Sequence, residues 1–234
     1  MLTVEETGST NADLLALAAS GVAEGTWLCA GRQTAGRGRQ GRVWSSPPGN
    51  FHGSALLRLR PTDPPAPLLS LVAGVALHEV VSAFLTPMPG SLALKWPNDL
   101  LLNGAKLAGI LLERSGDAVV MGIGVNLAHH PDLPDRPTTS LAAQGAAVSV
   151  AIFAETLAEA VARWLDRWRG GGVDAIRAAW LACAHPAGTA IRLHEPGGAE
   201  VAGLFEGLDA HGALILRLAD GRMRVIHAGD VFLL

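Results

Sequence analysis

The amino-acid sequence predicts an α+β fold: a mixed, largely antiparallel sheet with helices packed on it, followed by a small C-terminal β-barrel. Three observations lead to this prediction. Apolar residues recur at helical spacing in residues 12–19, 68–85 and 149–183. Short apolar strands lie between these helices, and after residue 185 only short strands with tight turns remain. With 234 residues, of which 49% are hydrophobic and 17% charged, the chain can bury one large core and a small second one.

The overall charge and the cysteines limit the class of protein. A formal net charge of −3 argues against a protein that coats nucleic acid. We expect no membrane-spanning segment, because no apolar run is long enough by inspection, and the acidic N-terminus Met1–Glu6 is unlike a signal peptide. Cys29 and Cys183 stand far apart in apolar surroundings, which is typical of reduced core cysteines in a cytoplasmic protein.

The first helix follows three polar residues, Ser9, Thr10 and Asn11. Such residues are preferred at helix N-caps, and Gly21 gives the helix a stop after Ala19. In a second interpretation, these side chains and the free N–H groups of the first turn hold the polar head of a ligand. Local chemistry by itself favours the cap.

An arginine loop, defined as Gly31–Trp44, follows a predicted strand at residues 26–30. It alternates arginine with glycine and contains no acid. Glycine lets backbone N–H groups approach a ligand closely, and arginine offers a charged fork that suits phosphate or carboxylate. Trp44 adds an aromatic face on which a base can stack. We expect an anion to order this loop; a solvated basic loop is the competing interpretation. Its arginines are Arg32, Arg37, Arg39 and Arg42.

Two familiar glycine motifs are excluded at this loop. Gly36, Gly38 and Gly41 match the dinucleotide-binding fingerprint as a bare pattern. That fingerprint requires a helix directly after the glycines. The turn residues at 45–50, which include two prolines, prevent that helix. A phosphate-binding P-loop is also excluded, because no Gly-Lys-Ser or Gly-Lys-Thr occurs in the chain.

The middle of the chain predicts a meander of strands. A strand at residues 51–59 leaves the arginine loop and leads, through a proline-rich connection, into the second helix. Asn103-Gly104 between apolar runs predicts a hairpin that pairs residues 100–102 with 106–113. A third antiparallel strand is expected at 118–126.

Polar residues interrupt this meander at positions that suit a polyphosphate and its Mg²⁺. Of the 18 Lys and Arg residues, only Lys95 and Lys106 are lysine, and a compact ammonium suits a phosphate oxygen in a confined site. Each polar residue alone has an ordinary explanation, as an edge charge or a turn residue. Their convergence beside the arginine loop indicates a nucleotide site. The others are Asn98, Asp99, Glu113 and Asn126, and the strand glycines, which often mark a closely approaching group, are Gly109, Gly122 and Gly124.

The last third of the chain adds helices and the predicted barrel. His129-His130 lies on a proline-rich loop without partners at zinc spacing, so a structural metal site is disfavoured. We place the domain boundary near residue 185, which gives a catalytic domain at 1–184 and a C-terminal domain at 185–234. Helices are predicted at 149–169 and 173–183, separated by Gly170–Gly172, and strands at 190–194, 201–208, 213–218 and 223–227.

Four sequence blocks resemble the signature motifs of biotin protein ligases, in the order and at the spacing of that family. They are Gly36–Arg42, Lys95–Asp99, Lys106–Ile110 and Gly122–Asn126. The similarity covers residues 9–126 by motif and the rest of the chain by architecture. It implies a class II synthetase-like catalytic domain and a C-terminal SH3-like barrel.

The resemblance implies a reaction in two steps. The carboxylate of biotin attacks the α-phosphate of ATP, with Mg²⁺ assisting, and forms biotinyl-5′-adenylate and pyrophosphate. One lysine of a biotin carboxyl carrier domain then attacks the mixed anhydride. The enzyme needs no nucleophilic side chain, because its task is to align two anions, neutralise their charge and exclude water.

The same resemblance implies a role for each matching residue. The catalytic residues are Lys106, which bridges the biotin carboxylate and the α-phosphate, and Arg39. The biotin-binding residues are Ser9, Thr10, Asn11, Gln33, Arg37, Gly38, Arg39, Lys106 and Gly109. The nucleotide-binding residues are Arg39, Arg42, Trp44, Lys95, Asn98 and Asn126, and Asp99 is the candidate Mg²⁺ ligand.

Two other interpretations stay open. A lipoate ligase of the same superfamily is disfavoured by the intact Gly-Arg-Gly-Arg-x-Gly-Arg block, and a non-catalytic nucleic-acid-binding module by the acidic net charge. Because the Ser-Thr-Asn block begins at residue 9, we expect no N-terminal DNA-binding domain and no operator binding. The expected partner is a biotin carboxyl carrier domain in the cytoplasm, without DNA or membrane, and a homodimer is possible.

Overall fold

The computed structural model describes residues 1–85 and 92–234. Its elements follow the predicted order, with three additional strands: one near each end of the chain and one, Leu92–Lys95, before the hairpin. They are β1 (Leu2–Thr7), α1 (Thr10–Ala19), β2 (Trp27–Gln33), β3 (Phe51–Arg58), α2 (Leu69–Phe84), β4 (Leu92–Lys95), β5 (Asp99–Leu102), β6 (Ala105–Ser115), β7 (Ala118–Val125), α3 (Val150–Ala182), β8 (Ala190–His194), β9 (Glu200–Leu208), β10 (Leu214–Arg217), β11 (Met223–Ile226) and β12 (Asp230–Leu233).

Seven of the described strands form one sheet in the order β1-β2-β3-β7-β6-β5-β4. β1 lies parallel to β2, and the other neighbouring pairs are antiparallel. The predicted mixed, largely antiparallel sheet is therefore confirmed. β1 itself was not predicted, because Glu5 and Glu6 interrupt its apolar pattern. It is an edge strand with most of its side chains exposed.

The predicted hairpin at Asn103-Gly104 is confirmed. The two residues have positive φ values of 52° and 77°, as a two-residue type I′ turn requires. The turn pairs Leu102 with Ala105 and sets β5 antiparallel to β6. On the other side of β5, Lys95 of β4 lies opposite Asp99. The hairpin thereby brings polar residues of neighbouring strands to one end of the sheet.

Helices cover both faces of this sheet. α2 and α3 pack together on one face, in a core that includes Phe51 and Phe153, whose ring centroids are 5.4 Å apart. α1 covers the other face through a smaller cluster that includes Leu14 and Leu56. As a consequence, almost every residue of β3 and β7 is buried.

The expectation that no apolar run reaches membrane-spanning length is wrong. Residues Ala66–Phe84, which contain α2, are long and apolar enough to cross a membrane by length and composition. Most of this stretch is buried inside the protein. A helix that is apolar on every side fits the core of a large domain, so burial against the sheet and α3 explains its composition.

The glycine run at residues 170–172 interrupts α3. Within the span Val150–Ala182, Gly172 has φ 75° and ψ −174°, which are not helical values. Glycine adopts positive φ without the clash that a Cβ atom would cause. The predicted break between two helical segments is therefore confirmed.

The C-terminal strands form a second, antiparallel sheet, with the described order β11-β10-β9-β8-β12. The four predicted strands are present, and β12 is the addition; it is a four-residue strand that follows Gly229. Hydrogen bonds between the described parts of the two regions include those from Trp96 Nε1 to Gly212 O and from Lys95 Nζ to Val231 O, each at 3.0 Å. The second sheet confirms the predicted C-terminal β-domain, while the boundary near residue 185 stays an interpretation.

Candidate active site

One cavity of about 350 Å³ lies between α1, the arginine loop, strands β4 to β7 and β12. All fifteen residues that the sequence analysis assigned to a site line it, although they extend along the chain from Ser9 to Asn126. They are Ser9, Thr10, Asn11, Gln33, Arg37, Gly38, Arg39, Arg42, Trp44, Lys95, Asn98, Asp99, Lys106, Gly109 and Asn126.

The cavity is cationic although the chain is acidic. Six basic and three acidic residues line it, whereas the whole chain has a formal net charge of −3. A cavity that has an excess of one charge and is enclosed by low-dielectric protein attracts ligands of the opposite charge. The site therefore selects anions. Its basic residues are Arg37, Arg39, Arg42, Lys95, Lys106 and Arg136, and its acidic residues are Asp99, Asp135 and Asp230.

The start of α1 supports both interpretations of its polar residues. Ser9 is the N-cap, and its Oγ accepts from the backbone N of Ala12 at 3.5 Å. Thr10 instead faces the neighbouring strand: its backbone N donates to Gln33 Oε1 at 2.8 Å, and its Oγ1 lies 3.0 Å from the same atom. The cap therefore accounts for Ser9, and Thr10 is available to shape the cavity.

Asn11 belongs to a buried polar cluster that sequence reasoning found only in part. Ser54 Oγ donates to Asn11 Oδ1 at 2.6 Å, and Asn11 Nδ2 donates to Glu113 Oε2 at 2.8 Å. Ser54 is fully buried and was missed as a site residue. The sequence did contain a signal for it: a serine within the apolar strand β3 needs a hydrogen-bond partner, because a buried hydroxyl is rarely left without one.

Three strand glycines leave room for the side chains of this site. A Cβ atom on Gly122 would lie 2.2 Å from Asn11 Oδ1. A Cβ atom on Gly124 would lie 2.4 Å from Trp44 Nε1, and one on Gly109 would lie 3.2 Å from the same indole ring. The glycines predicted to mark a close approach therefore admit the protein's own Asn11 and Trp44.

The two lysines share one buried carboxylate. Lys106 Nζ lies 2.5 Å from Asp99 Oδ1, and Lys95 Nζ lies 3.2 Å from Asp99 Oδ2. Burial by itself would raise the pKa of Asp99, but the positive charges of Lys106 and Lys95 outweigh it and hold that pKa below its usual value. Asp99 is therefore the ionised counter-ion of both amines, and one positive charge of the pair is left over.

The geometry around Asp99 does not fit its assignment as a Mg²⁺ ligand. A dication on this carboxylate would lie against both ammonium groups. The described residues also contain no group of three His, Cys, Asp or Glu side chains that could hold a metal ion. Magnesium often binds through one or two carboxylates together with the phosphates of its substrate, so a Mg²⁺ ion that arrives with ATP remains compatible with the cavity.

Asn98 and Asn126 secure the walls of the cavity. Asn98 Nδ2 donates to Ile110 O at 2.6 Å, and Asn126 Nδ2 donates to Thr139 O at 3.0 Å. Both amide nitrogens are thus engaged with main-chain carbonyls. A contact of either residue with a nucleotide stays a prediction, and the side-chain carbonyl oxygen is the atom available for it.

The arginine loop forms a short hairpin over the cavity. Gly38 N donates to Arg42 O at 2.7 Å, and Trp44 N donates to Gly36 O at 2.9 Å. The indole ring of Trp44 lies on the glycines of the sheet, with Lys106 Nζ 5.6 Å from the ring centroid. The loop therefore sets an aromatic face beside the lysine that the resemblance makes catalytic.

The C-terminal domain completes the charged end of the cavity, which sequence reasoning missed. Arg42 forms an ion pair with Asp230, and Arg39 Nη1 lies 3.8 Å from the same carboxylate and donates to Gly229 O at 3.2 Å. Burial lowers the pKa of Arg39, and Asp230 and Asp99 oppose that effect. The sequence around Asp230 does not indicate its contacts with Arg39 and Arg42, because they form only when the two domains pack together.

The fold and the cavity together define a class: a two-domain α+β protein in which a cationic loop, two lysines and a polar helix start surround one anion site. Residues 5–126 match the family described as Biotin/lipoate A/B protein ligase family. Residues 188–234 match the Biotin protein ligase C terminal domain.

Similar proteins narrow this class. The chain is 46% identical to a biotin–[acetyl-CoA-carboxylase] ligase of Paracoccus denitrificans, over 97% of each chain. It is 40% identical to the ligase of the same name from Mycobacterium tuberculosis, over 97% of this chain and 86% of that one. The solved structure of the biotin protein ligase from Aquifex aeolicus, in complex with biotin and ATP, superposes with a TM-score of 0.84 at 26% identity and covers 100% of this chain and 97% of that one. The chain therefore belongs to the biotin protein ligase family.

Proposed function

We propose that this protein activates biotin with ATP to form biotinyl-5′-AMP and transfers the biotinyl group to one lysine of a biotin carboxyl carrier domain. The observation that carries the proposal is that two chemically different ends belong to one cavity. Its neutral end lies at residues 9–11 and Gln33, and its charged end lies at Lys95, Lys106, Arg39 and Arg42. Two relatives of this protein are named biotin–[acetyl-CoA-carboxylase] ligase, and the similar structure from Aquifex aeolicus is a complex with biotin and ATP.

The neutral end suits the ring system of biotin. A ureido group is uncharged and needs both hydrogen-bond donors and acceptors, and the start of α1 with Gln33 supplies both. Gly38 lets the backbone approach the ligand closely, Gly109 makes room for Trp44 and Lys106 beside it, and Arg37 stands at the edge of this end. The residues proposed to hold biotin are Ser9, Thr10, Asn11, Gln33, Arg37, Gly38, Arg39, Lys106 and Gly109.

The charged end suits the reacting groups. In the first step a carboxylate oxygen of biotin forms a bond to the α-phosphorus of ATP, and pyrophosphate leaves with the electron pair of the broken P–O bond. Both reactants are anions, so Lys106 and Arg39 lower the barrier by balancing the negative charge that develops between them. In the second step a lysine amine of the carrier forms a bond to the carbonyl carbon, AMP leaves, and the amine loses one proton.

The nucleotide is proposed to lie along the arginine loop and β4. Trp44 offers an aromatic face for adenine, and Arg42 and Lys95 face the phosphates. Asn98 and Asn126 border this part of the cavity. Mg²⁺, bound to the phosphates of ATP, neutralises part of their charge.

The proposal includes the setting of the reaction. The protein acts in the cytoplasm, where its two free cysteines stay reduced, and its macromolecular partner is the carrier domain rather than DNA or a membrane. The net charge of −3 supports the exclusion of DNA. The exposed edge strand β1 supports the formation of a homodimer, because an unpaired edge can add a second copy of the same strand.

The test is transfer to a carrier domain. The purified protein is incubated with ATP, Mg²⁺, a biotin carboxyl carrier domain and either biotin or lipoate, and the mass of the carrier is measured. We expect one biotinyl group on one lysine and no modification with lipoate. Equal modification by lipoate, or an unmodified carrier in both reactions, contradicts the proposal.

A further inference from the structure

Glu113 stands where the neutral end of the cavity meets the arginine loop, and the roles implied by the resemblance do not include it. It lies near the C-terminal end of β6, whose second residue is Lys106. Its carboxylate has two oxygen atoms with two different partners. Oε2 accepts from Asn11 Nδ2 at 2.8 Å, and Oε1 lies 3.3 Å from Arg37 Nη2.

The partners of Asn11 leave its amide only one orientation. Its nitrogen faces Glu113 Oε2 and the main-chain oxygen of Leu111, which is 3.3 Å away, and both of these atoms only accept hydrogen bonds. Its oxygen accepts from Ser54 Oγ at 2.6 Å. Glu113 therefore helps to decide which atom of Asn11 points in which direction within a buried cluster.

Arg37 has a different dependence on Glu113. Its side chain is 47% exposed, and that of Glu113 is 28% exposed. Arg37 belongs to the hairpin of the arginine loop, where it forms a bridge with Val43. The ion pair with Glu113 is thus a direct side-chain link between the first strand of that hairpin and the catalytic sheet.

These contacts form a continuous path from the middle of the arginine loop to its C-terminal end. From Arg37 the path runs through Glu113 to Asn11 and, by way of Ser54 and Thr10, to Gln33. Gln33 Nε2 then donates to Ser46 Oγ at 3.0 Å, and Ser46 Oγ donates to Trp44 O at 3.2 Å. The links of this path are Arg37, Glu113, Asn11, Ser54, Thr10, Gln33, Ser46 and Trp44.

We propose that Glu113 is a positioning residue that couples the neutral end of the cavity to closure of the arginine loop, and so retains the acyl-adenylate until the carrier lysine arrives. The inference rests on the proposed function. Asn11 is already fixed by its partners, so it holds one oxygen of the Glu113 carboxylate in place while the other oxygen anchors Arg37. The loop then closes over an occupied site and excludes the water that would hydrolyse the mixed anhydride.

Replacing Glu113 by glutamine separates the two contacts. A glutamine side chain has one acceptor oxygen and one amide nitrogen that only donates. We expect the oxygen to serve Asn11, because Asn11 is buried and has no water to replace this acceptor, whereas Arg37 is exposed to solvent. The nitrogen then faces the guanidinium of Arg37, which also only donates, so Glu113→Gln keeps the Asn11 amide in place and removes the link to the loop.

The experiment measures biotin affinity, adenylate escape and stability in four proteins: the natural chain, Glu113→Gln, Arg37→Gln and the double variant. Binding of biotin without ATP is measured by calorimetry. Escape of the adenylate is measured by chasing labelled biotinyl-adenylate from the enzyme with unlabelled biotin. The matched control is Glu206→Gln, which removes a carboxylate of similar exposure (24%) from its pair with Arg217 in the C-terminal domain.

We expect Glu113→Gln to leave the biotin Kd within about threefold and to speed adenylate escape by about two- to fivefold, which is the range expected for one partly exposed ion pair. Arg37→Gln should speed escape by a similar factor, but it should also weaken biotin binding, because Arg37 is among the residues proposed to hold biotin. Adenylate escape from the double variant should be no faster than from Arg37→Gln, because both substitutions remove the same link. Glu206→Gln should behave as the natural chain.

Two results overturn the coupling. The first is an additive loss in the double variant, and the second is weaker biotin binding in Glu113→Gln without faster escape, which is the pattern of a residue that only supports the fold. If the natural chain forms adenylate and either result is obtained, the coupling alone is wrong. If the natural chain forms no adenylate, the proposed function is wrong and the coupling falls with it.

Discussion

The neutral end and the charged end of the cavity are held together in different ways. At α1, uncharged side chains bond one another inside the catalytic domain; Thr10, Gln33 and Ser54 make hydrogen bonds of 2.7–3.0 Å. At β12, Arg39 and Arg42 are held by Asp230 of the second domain, and their side chains are 24% and 42% exposed. Solvent screens exposed ion pairs far more than buried hydrogen bonds.

This difference shows which part of the site is preorganised before a ligand binds. The neutral end has its geometry before a ligand arrives, because its hydrogen bonds are buried and mutually supporting. The charged end gains its full strength only when ligands and the closed loop exclude water, since charge interactions grow as the surroundings become less polar. The following experiments separate the two ends, from the largest expected effect to the smallest.

The largest effect is expected at the boundary between the two ends. Lys106→Gln removes the amine that lies 2.5 Å from Asp99 and leaves that buried carboxylate with one partner fewer. Adenylate formation should fall by about 10²- to 10³-fold, which is typical for the loss of one group that stabilises transition-state charge. The rate of biotin-dependent ATP–pyrophosphate exchange measures it.

A cation removed elsewhere provides the control. Arg163→Gln removes an exposed partner of Glu79 far from the cavity, and exchange should stay at the natural rate. A Lys106→Gln protein that keeps its activity within a few-fold of the natural chain would show that this lysine does not act on the reacting groups.

The second experiment changes the shape of the neutral end without changing its charge. In Gly122→Ala the new Cβ atom would lie 2.2 Å from Asn11 Oδ1, so Asn11 must move. Because a displacement of about 1 Å can cost on the order of a hundredfold, we expect the Kd for biotin to rise by about 10- to 100-fold. Calorimetric titration with biotin gives the value. In the control Gly170→Ala the new atom meets nothing within 4 Å, and unchanged binding in both variants would refute a pre-shaped neutral end.

The third experiment weakens the charged end. Asp230→Asn removes the carboxylate that holds Arg39 and Arg42, so the KM for ATP should rise by about three- to tenfold, with a smaller rise in the biotin Kd, because Arg39 is proposed to contact both substrates. Asp220→Asn, at an exposed pair with Arg222 in the same domain, is the matched control. A lower KM for ATP in Asp230→Asn would mean that the carboxylate competes with phosphate instead of holding the loop.

The smallest effect concerns the pH dependence of stability. His52 is buried, and its Nε2 lies 3.1 Å from Pro47 O; since a carbonyl only accepts, Nε2 carries the proton of a neutral ring. Burial lowers the pKa of His52. The unfolded chain therefore takes up a proton at a higher pH than the folded one, and His52 reduces the free energy of unfolding as the pH falls below its unfolded value of about 6.5.

Urea unfolding at pH 7.5 and pH 5.5 measures this contribution. The free energy of unfolding of the natural chain should fall more between these values than that of His52→Gln, by on the order of 1 kcal/mol. Glutamine can keep a donor near Pro47 O but does not titrate. An equal fall in both proteins would contradict the assignment of a neutral buried ring to His52.

Most of the strands were predictable because their signals are local, and the fifteen candidate site residues line one cavity, although their roles stay predictions. Asn103-Gly104 specifies its own turn, and the arginine loop carries its chemistry in fourteen consecutive residues. Strand glycines were correctly read as places of close approach. Resemblance to a family then grouped motifs that no local pattern could bring to one cavity.

The parts that were not predicted depend on packing between distant segments. Ser54 looks like an isolated hydroxyl until α1 is placed on the sheet, and Asp230 looks like a turn residue until the second domain meets the arginine loop. Asp99 looked like a metal ligand because its partners were unknown; once Lys95 and Lys106 flank it, the geometry makes it their counter-ion. The helix α2 was predicted correctly, and only the length of its apolar stretch, Ala66–Phe84, was underestimated.

Exchange of labelled pyrophosphate into ATP tests the central claim most directly, because it needs an acid and a nucleotide to react inside one cavity. With the natural chain and Mg²⁺, we predict rapid exchange in the presence of biotin and none with lipoate or without an acid. Absence of biotin-dependent exchange from a folded protein that binds biotin and ATP, or equal exchange with lipoate, would contradict the account.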